Sequence, residues 1–321
     1  MIEGGCVKQM KKEILYIEPV FKQMIWGGEK LGSEWNYAVP GEKTGECWGI
    51  AAHPNGDCVI HGGSYGGKTL SQLWTEHPEL FGNVDSKVFP LLVKIIDARQ
   101  DLSIQVHPDN AYAEVNEQGS LGKAECWYIL EAEEESGLVI GHNAQNKEEL
   151  INMIRDGKWS EFIREIPIKK GDFIQIDPGT IHAIKGGVLL IETQQNSDIT
   201  YRVYDYDRLS EGKPRELHIE KSMDVITVPA KSVEDCVKHI GAFEPNKMHL
   251  LISCDCYQVW KMDVTDRAEV NQDYPFLMMS VIEGDGIIDG QFIKKGDHFI
   301  IPNGYGKVEL QGDMQLICST V

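Results

Sequence analysis

Basic residues are scarce in this chain. Lysine and arginine number 31 against 50 aspartates and glutamates, for a formal charge of −19. Such a field repels nucleic acid and acidic membranes, so neither is an expected partner. Long apolar runs are missing as well, which excludes a bilayer-spanning helix. The opening residues, Met1-Ile-Glu-Gly-Gly-Cys-Val-Lys-Gln-Met10, lack the apolar core of a secretory signal, so a cytoplasmic location is expected. The eight cysteines are scattered, and in a cytoplasmic chain they stay free thiols. Cys254 and Cys256 are the one close pair, and they read as small buried hydrophobes before a metal or redox site. Helical signals are few. Gly62-Gly63 and Gly66-Gly67 read as hinges of loops or hairpins and not as phosphate loops.

What the chain does have is a long series of Val-, Ile- and Tyr-rich runs of strand length, separated by Gly, Pro and Asp. Thr69 is placed to cap a helix with Leu70, Leu73 and Trp74 on one side, ending before Pro78. Asn146 and Glu149 resemble a capping box ahead of Leu150, Ile151 and Ile154, with Gly157 as a stop. Trp159, Phe162 and Ile163 suggest a further short helix. Glu131 and Glu133 to Glu135 form the densest acidic run and read as a solvated turn. One unit repeats. Ile168-Lys-Lys-Gly-Asp172 leads into an apolar strand and Pro178, and Ile293-Lys-Lys-Gly-Asp297 leads into another apolar strand and Pro302. Four residues after the proline the first copy has His182 and the second has Gly306. This duplicated turn, strand and turn resembles the cupin pattern, a small jelly-roll barrel.

The polar residues with chemical potential are spaced by two. In a strand, alternate residues share a face. Ser103, Gln105 and His107 then share one, and so do Lys123 and Glu125. With His182 on a tight turn, these groups can converge on one metal ion. A lone histidine is more often structural, and a strand glutamate more often faces solvent. Here Ile104, Val106, Trp127, Tyr128, Ile129 and Leu130 flank the polar positions and read as buried, so the polar groups need partners, which a metal supplies. Histidine and glutamate are ordinary zinc ligands, whereas a glutamine carbonyl is less typical. The expected fold is mainly β: two cupin-type jelly-roll barrels with a short helical segment in the N-terminal half. Residues 1–12 are expected as a disordered tail, and 13–235 as a catalytic cupin domain with a helical insertion near 146–165. Residues 236–321 are expected as a C-terminal cupin domain without metal, joined through the polar stretch 229–248.

At these residues the chain resembles class I mannose-6-phosphate isomerase (phosphomannose isomerase) in its short bacterial form. The stretches that carry the resemblance are Trp26-Gly27-Gly28, Lys43-Thr-Gly-Glu46-Cys-Trp48, Phe89-Pro-Leu-Leu-Val-Lys94, Ser103 to Asp109, Gly122-Lys123-Ala-Glu125, Pro178-Gly179-Thr-Ile-His182-Ala, and Asp198-Ile-Thr-Tyr-Arg202-Val-Tyr-Asp-Tyr. They occur in the family's order over most of the first 220 residues. Ile25 departs from relatives that carry a polar residue before the Trp-Gly pair. Larger members have a long helical domain where this chain has a short helical stretch. The resemblance implies one zinc ion per chain, held by Gln105, His107, Glu125 and His182. It implies that Arg202 is the active-site arginine and that Lys94, Ser103, Lys123 and Glu192 line the substrate pocket. The implied reaction is the reversible interconversion of mannose 6-phosphate and fructose 6-phosphate, through an enediol-type proton transfer.

The substrate would be a sugar phosphate, an anion like the protein, so a local cluster of Lys94, Lys123 and Arg202 is needed to receive it. Arg202 has a bland alternative as the salt-bridge partner of Asp198 or Asp205. Lys94 lies inside Leu91-Leu-Val-Lys-Ile-Ile96, where burial demands a reason. The apolar run before Glu192 predicts a raised pKa there. The general base stays open between Glu192, a metal-bound hydroxide and a lysine. Trp26 and Trp48 are either sugar platforms or core residues. A cupin that only binds or senses a sugar is the alternative class, with an iron cupin oxygenase as a third. The order of motifs, and Arg202 in particular, favours the enzyme.

Overall fold

Short β-branched and aromatic runs broken by turn residues give an architecture dominated by strands. The structure, a computed structural model, describes residues 13–210 and 212–321. The tail expected over residues 1–12 lies outside them. Three large sheets carry the fold. A seven-stranded sheet runs in the order Val237–His239, Asp172–Ile176, Glu125–Ala132, Val188–Gln195, Leu91–Ala98, Thr44–Ile50, Val20–Gln23. A five-stranded sheet runs Ile163–Pro167, Gly137–His142, His182–Ile184, Ile104–Val106, Tyr201–Tyr204. An eight-stranded sheet is built from Met248 onward, and the N-terminal strands Leu15–Glu18 and Val59–His61 complete one edge of it. The mainly β expectation is met. The two jelly-roll barrels are met only in that coarser form, because among the described residues the end strands of each sheet do not pair and no sheet closes into a barrel. No helix of the described residues is long and apolar enough to cross a membrane.

The seven-stranded sheet is covered on both faces, so its strands alternate between two interiors. On Leu91–Ala98, Leu91, Val93 and Ile95 join an apolar layer that continues into the eight-stranded sheet through Tyr257, Val259 and Phe276. Ile96 and Ala98 face the other way, toward Leu138, Ile140 and Ile184 of the five-stranded sheet. Lys94, Glu125 and Glu192 lie on that second face, between the seven- and five-stranded sheets.

The helices form where caps and apolar spacing allow. Leu70–Glu76 is capped by Thr69, whose side chain accepts from Gln72 N–H while the Gln72 side chain accepts from Thr69 N–H. Lys147–Arg155 starts at Asn146, and Gly157 at φ +67° follows its end. In that box the Glu149 carboxylate accepts from Gln145 N–H, one residue earlier than a standard box. The third expected turn is a short helix at Trp159–Phe162, and Ile163 begins a strand instead of continuing it. Asn110–Asn116, capped by Asp109, and Ile219–Val225 were not expected from the sequence.

The repeated Lys-Lys-Gly-Asp segments fold alike. Gly171 and Gly296 have φ of +90° and +94°, a conformation cheap only for glycine. The following aspartates accept from Lys169 N–H at 3.0 Å and Lys294 N–H at 2.9 Å. Each turn then feeds a buried strand, Asp172–Ile176 or His298–Ile301. Cys254 and Cys256 are half-buried against the large apolar layer, in the turn between Met248–Ser253 and Gln258–Gln272.

Candidate metal centre

Strand register brings the polar residues together. His182 pairs with Gln105 across neighbouring strands of the five-stranded sheet, and Gln105 pairs in turn with Arg202. In the facing sheet Glu192 pairs with Lys94 on one side and Trp127 on the other, two residues from Glu125. One ligand atom each from His107, Glu125 and His182 lies within 4.8 Å of the others, and all three residues are fully buried. His182 Nε2 is 3.3 Å from Glu125 Oε1, His107 Nε2 is 3.5 Å from Glu125 Oε2, and Gln105 Nε2 is 3.2 Å from His182 Nε2.

Backbone carbonyls set the histidine tautomers. His107 Nδ1 lies 2.8 Å from the Ile199 oxygen, and His182 Nδ1 lies 3.0 Å from the Thr180 oxygen. A carbonyl only accepts, so each Nδ1 carries the proton and each Nε2 keeps a lone pair, which faces Lys123 Nζ at 3.2 Å from His107 and Gln105 Nε2 at 3.2 Å from His182. Burial holds both rings neutral. It pushes His107 well below the usual histidine range, helped by Lys123, and His182 down to about 4. Burial and the nearby Glu192 raise the Glu125 carboxyl to about 7 against the opposing pull of Lys123. Neither Glu125 oxygen has a well-aligned hydrogen-bond donor, although Lys123 Nζ lies 2.7 Å from Oε2. Two neutral imidazole nitrogens and a buried carboxylate whose Oε1 lacks a donor form a set of ligands that suits a divalent cation such as zinc. The residues present therefore fit the ion that the sequence implies.

The centre opens into a cavity of about 290 Å³. Lys94, Ser103, Gln105, Lys123, Glu192 and Arg202 all line it. Lys94 is buried because two carboxylates receive it, Glu192 at 3.5 Å and Glu46 at 4.0 Å. The same contacts correct the expected pKa of Glu192. Burial raises it, but Lys123, Lys94 and the hydrogen bond from Trp127 Nε1 at 2.8 Å outweigh burial, and its carboxyl lies below the usual range. The apolar neighbours seen in the sequence, Leu189 and Ile191, point into the opposite layer.

Arg202 makes no ion pair with Asp198 or Asp205. Asp198 accepts from Asn55, and Asp205 is held by Arg208 and Arg215. Arg202 Nη1 donates to the Glu216 carbonyl at 2.8 Å, and its buried Nε has no partner. The strand expected over 201–206 ends at Tyr204, because Tyr206 and Asp207 turn at positive φ. Trp26 lines the cavity wall, whereas Trp48 is buried, with its Nε1 donating to Glu46 at 2.7 Å and Lys94 Nζ above its ring. Thr200, Arg215 and His218 also line the cavity and were missed. The last two come from a polar segment without periodicity, which offered no signal. A larger cavity of about 670 Å³ lies beside the acidic turn at Glu133 to Glu135, but it holds none of these groups.

Similarity to known proteins agrees with this arrangement. The profile of phosphomannose isomerase type I, catalytic domain, matches residues 14–133, and that of mannose-6-phosphate isomerase, cupin domain, matches residues 246–321. Mannose-6-phosphate isomerase ManA of Bacillus subtilis (strain 168) is 48% identical over 315 residues, covering 97% of this chain and 99% of the relative. The crystal structure of the mannose 6-phosphate isomerase from Bacillus subtilis superposes with a TM-score of 0.89 at 44% identity, over 97% of this chain and 100% of that one. A mannose 6-phosphate isomerase solved with zinc bound shares the fold at a TM-score of 0.76 and 16% identity, over 95% of this chain and 98% of that one.

Proposed function

The chain belongs to the type I phosphomannose isomerase family of mannose-6-phosphate isomerases, and from that membership we propose that its cleft is a zinc-dependent aldose–ketose isomerase site for mannose 6-phosphate and fructose 6-phosphate. Gln105, His107, Glu125 and His182 hold one zinc ion per chain. The observation that carries this reading is that one ligand atom each of His107, Glu125 and His182 gathers within 4.8 Å of the others in full burial, with both rings protonated at Nδ1. When bound, zinc supplies a Lewis acid that polarises the sugar oxygens.

The chain's own residues do the rest. Isomerisation moves a proton between carbon 2 and carbon 1 through an enediol, and negative charge grows on the adjacent oxygens. Glu192 is ionised, and its Oε1 has only the long contact to Lys94 Nζ at 3.5 Å and no aligned hydrogen bond, so we assign it to take and return the proton. Lys94 keeps Glu192 charged and in place. Ser103 and Lys123 bind sugar oxygens beside Gln105, and Arg202 offers a planar cation free of any carboxylate. Residues 13–235 supply every one of these groups, with the helical insertion near 146–165. Residues 236–321 form the second cupin, which lacks a zinc ligand at Gly306.

A coupled assay with mannose 6-phosphate, run with and without a chelator and beside elemental analysis, tests the proposal. We expect about one zinc per chain, loss of turnover on chelation and recovery on re-addition. A metal-free preparation with full activity would sink the metal reading, and a zinc-loaded preparation inert on mannose 6-phosphate would sink the isomerase.

A further inference from the structure

We propose that His218 and Arg215, standing beside Arg202, recognise the phosphate group of the substrate and so set the preference for phosphorylated over free sugars. The inference rests on the reading of the cleft as a sugar-phosphate site and assigns its anion-binding end.

The first observation is how charge is distributed around the cleft. Lys94 is matched by Glu46 and Glu192, and Lys123 by Glu125. Those cations are already neutralised within the protein. On the Arg202 side the balance differs. Among the described residues Asp205 is the one carboxylate paired there, and Arg208 and Arg215 both hold it, while Arg202 pairs with none. Among the described residues, three guanidinium groups against Asp205 and the exposed Glu216 leave a positive excess at this wall, in a chain whose total charge is −19. The excess has a cost. Burial lowers the pKa of Arg202, and repulsion from Arg215 and Arg208 adds to it, against the pulls of Asp205 and Glu216. Glu216 offers Arg202 its backbone oxygen while its own side chain is exposed. A bound dianion would relieve this repulsion.

The second observation is the state of His218. The segment after Pro214 lies along the Arg202 strand. His218 N–H donates to the Arg202 oxygen at 2.8 Å, and Arg202 N–H donates to His218 Nδ1 at 3.3 Å. Nδ1 is thereby an acceptor, so the proton of the neutral ring sits on Nε2 and makes it a donor. Burial favours that neutral ring, as do Arg202 and Lys221, while Glu216 and Glu117 oppose them. The third observation is the set of open donors. The buried Nε of Arg202 has no partner. Arg215 spends Nε and Nη2 on Asp205, which leaves Nη1 uncommitted among the described residues. Arg202, Arg215 and His218 line the same cavity as Gln105, and Arg202 stands between Gln105 and His218. Guanidinium N–H groups and a fixed imidazole N–H are the donors that a phosphate dianion accepts from.

Inorganic phosphate is the probe, used as a competitive inhibitor of mannose 6-phosphate turnover and as a ligand in calorimetry. The variants are His218→Ala, His218→Gln and Arg215→Ala, each checked for a near-native melting temperature and zinc content. We expect His218→Ala and Arg215→Ala to raise KM and the phosphate inhibition constant about 10-fold or more with kcat largely kept, as for the loss of a hydrogen bond to a charged group. His218→Gln, whose amide nitrogen can occupy the place of Nε2, should recover much of the phosphate binding. Folded His218→Ala and Arg215→Ala variants with unchanged phosphate binding would overturn the assignment, and so would a loss confined to kcat. If the wild type binds phosphate through His218 yet fails to isomerise mannose 6-phosphate, the assigned reaction is wrong and the phosphate end stands.

Discussion

Arg202 has a half-buried stem, a backbone anchor at Glu216 and no carboxylate partner, so its charge is available to a ligand. It also sits across from Gln105, next to the metal centre. We expect Arg202→Ala to lower turnover by on the order of 10²–10³, the usual loss for one preorganised donor, with zinc content unchanged. Steady-state kinetics decides the matter: a raised KM with intact turnover would make Arg202 a ground-state anchor only. Arg202→Lys keeps the charge but loses the planar fork, so an intermediate rate is expected. Thiol chemistry makes a second test at this scale. Hydrogen bonding from Cys256 holds the Cys254 thiol down at about 6, whereas burial pushes Cys47, Cys58, Cys126 and Cys318 up. Among the described cysteines, Cys254 should be alkylated first by iodoacetamide at pH 7, as read by peptide mapping. Equal labelling of Cys254 and Cys58 in the folded protein would contradict this.

Strands meet at His298, which links the two halves of the chain. Its Nε2 lies 3.0 Å from the Tyr37 hydroxyl, which itself donates to the Gly296 oxygen at 2.8 Å, and its Nδ1 lies 2.8 Å from Ser280 Oγ. Tyr37 therefore accepts from Nε2–H, and Ser280 donates to Nδ1. The ring packs on Gly49, where an added Cβ would stand 2.4 Å from His298 Cε1. Hydrogen bonds at both nitrogens prevent the ring from giving way, so Gly49→Ala should cost about 1–3 kcal/mol in denaturant melts. A neutral-to-stabilising result would mean that the strands slide freely. Burial also lowers the pKa of His298 to about 4. An unfolded histidine titrates near 6.5, so between these values the unfolded chain binds the extra proton and stability falls as pH falls. His298 thus contributes about 3 kcal/mol of acid sensitivity from pH 6.5 to 4, which His298→Gln should remove. Identical pH slopes in the two proteins would refute it. Elements such as Leu70–Glu76 and the paired Lys-Lys-Gly-Asp turns were legible in the sequence because their signals are local. The side of the sheet that Glu192 faces was not, since its surroundings depend on register with Lys94. Arg215 and His218 escaped for a similar reason: only the hydrogen bonds to Arg202 bring that polar segment to the cavity.

The molecule as a whole is held by layers that ignore sequence order. Phe276, beyond the expected domain junction, packs against Trp74, Phe81 and Phe89 with ring centroids 5.3 to 6.3 Å apart. Truncating a fully buried phenylalanine costs about 3–5 kcal/mol, so Phe276→Ala should lower the urea midpoint in one cooperative transition, including signals from the half that carries His107, Glu125 and His182. Two separate transitions would show that the halves unfold independently. The pairing of Leu15–Glu18 with His298–Ile301 also bears on how the chain is made. A ribosome releases residues in order, so Leu15–Glu18 must wait for a partner strand made much later. Until then Leu15–Glu18 has only Val59–His61 to pair with, and Gly49, on the strand that carries Glu46 to the cleft, has no His298 to pack on. The chain's strong negative charge helps keep such unfinished copies apart on a polysome. Assembly of the cleft in this protein thus waits for the strand His298–Ile301 to be made.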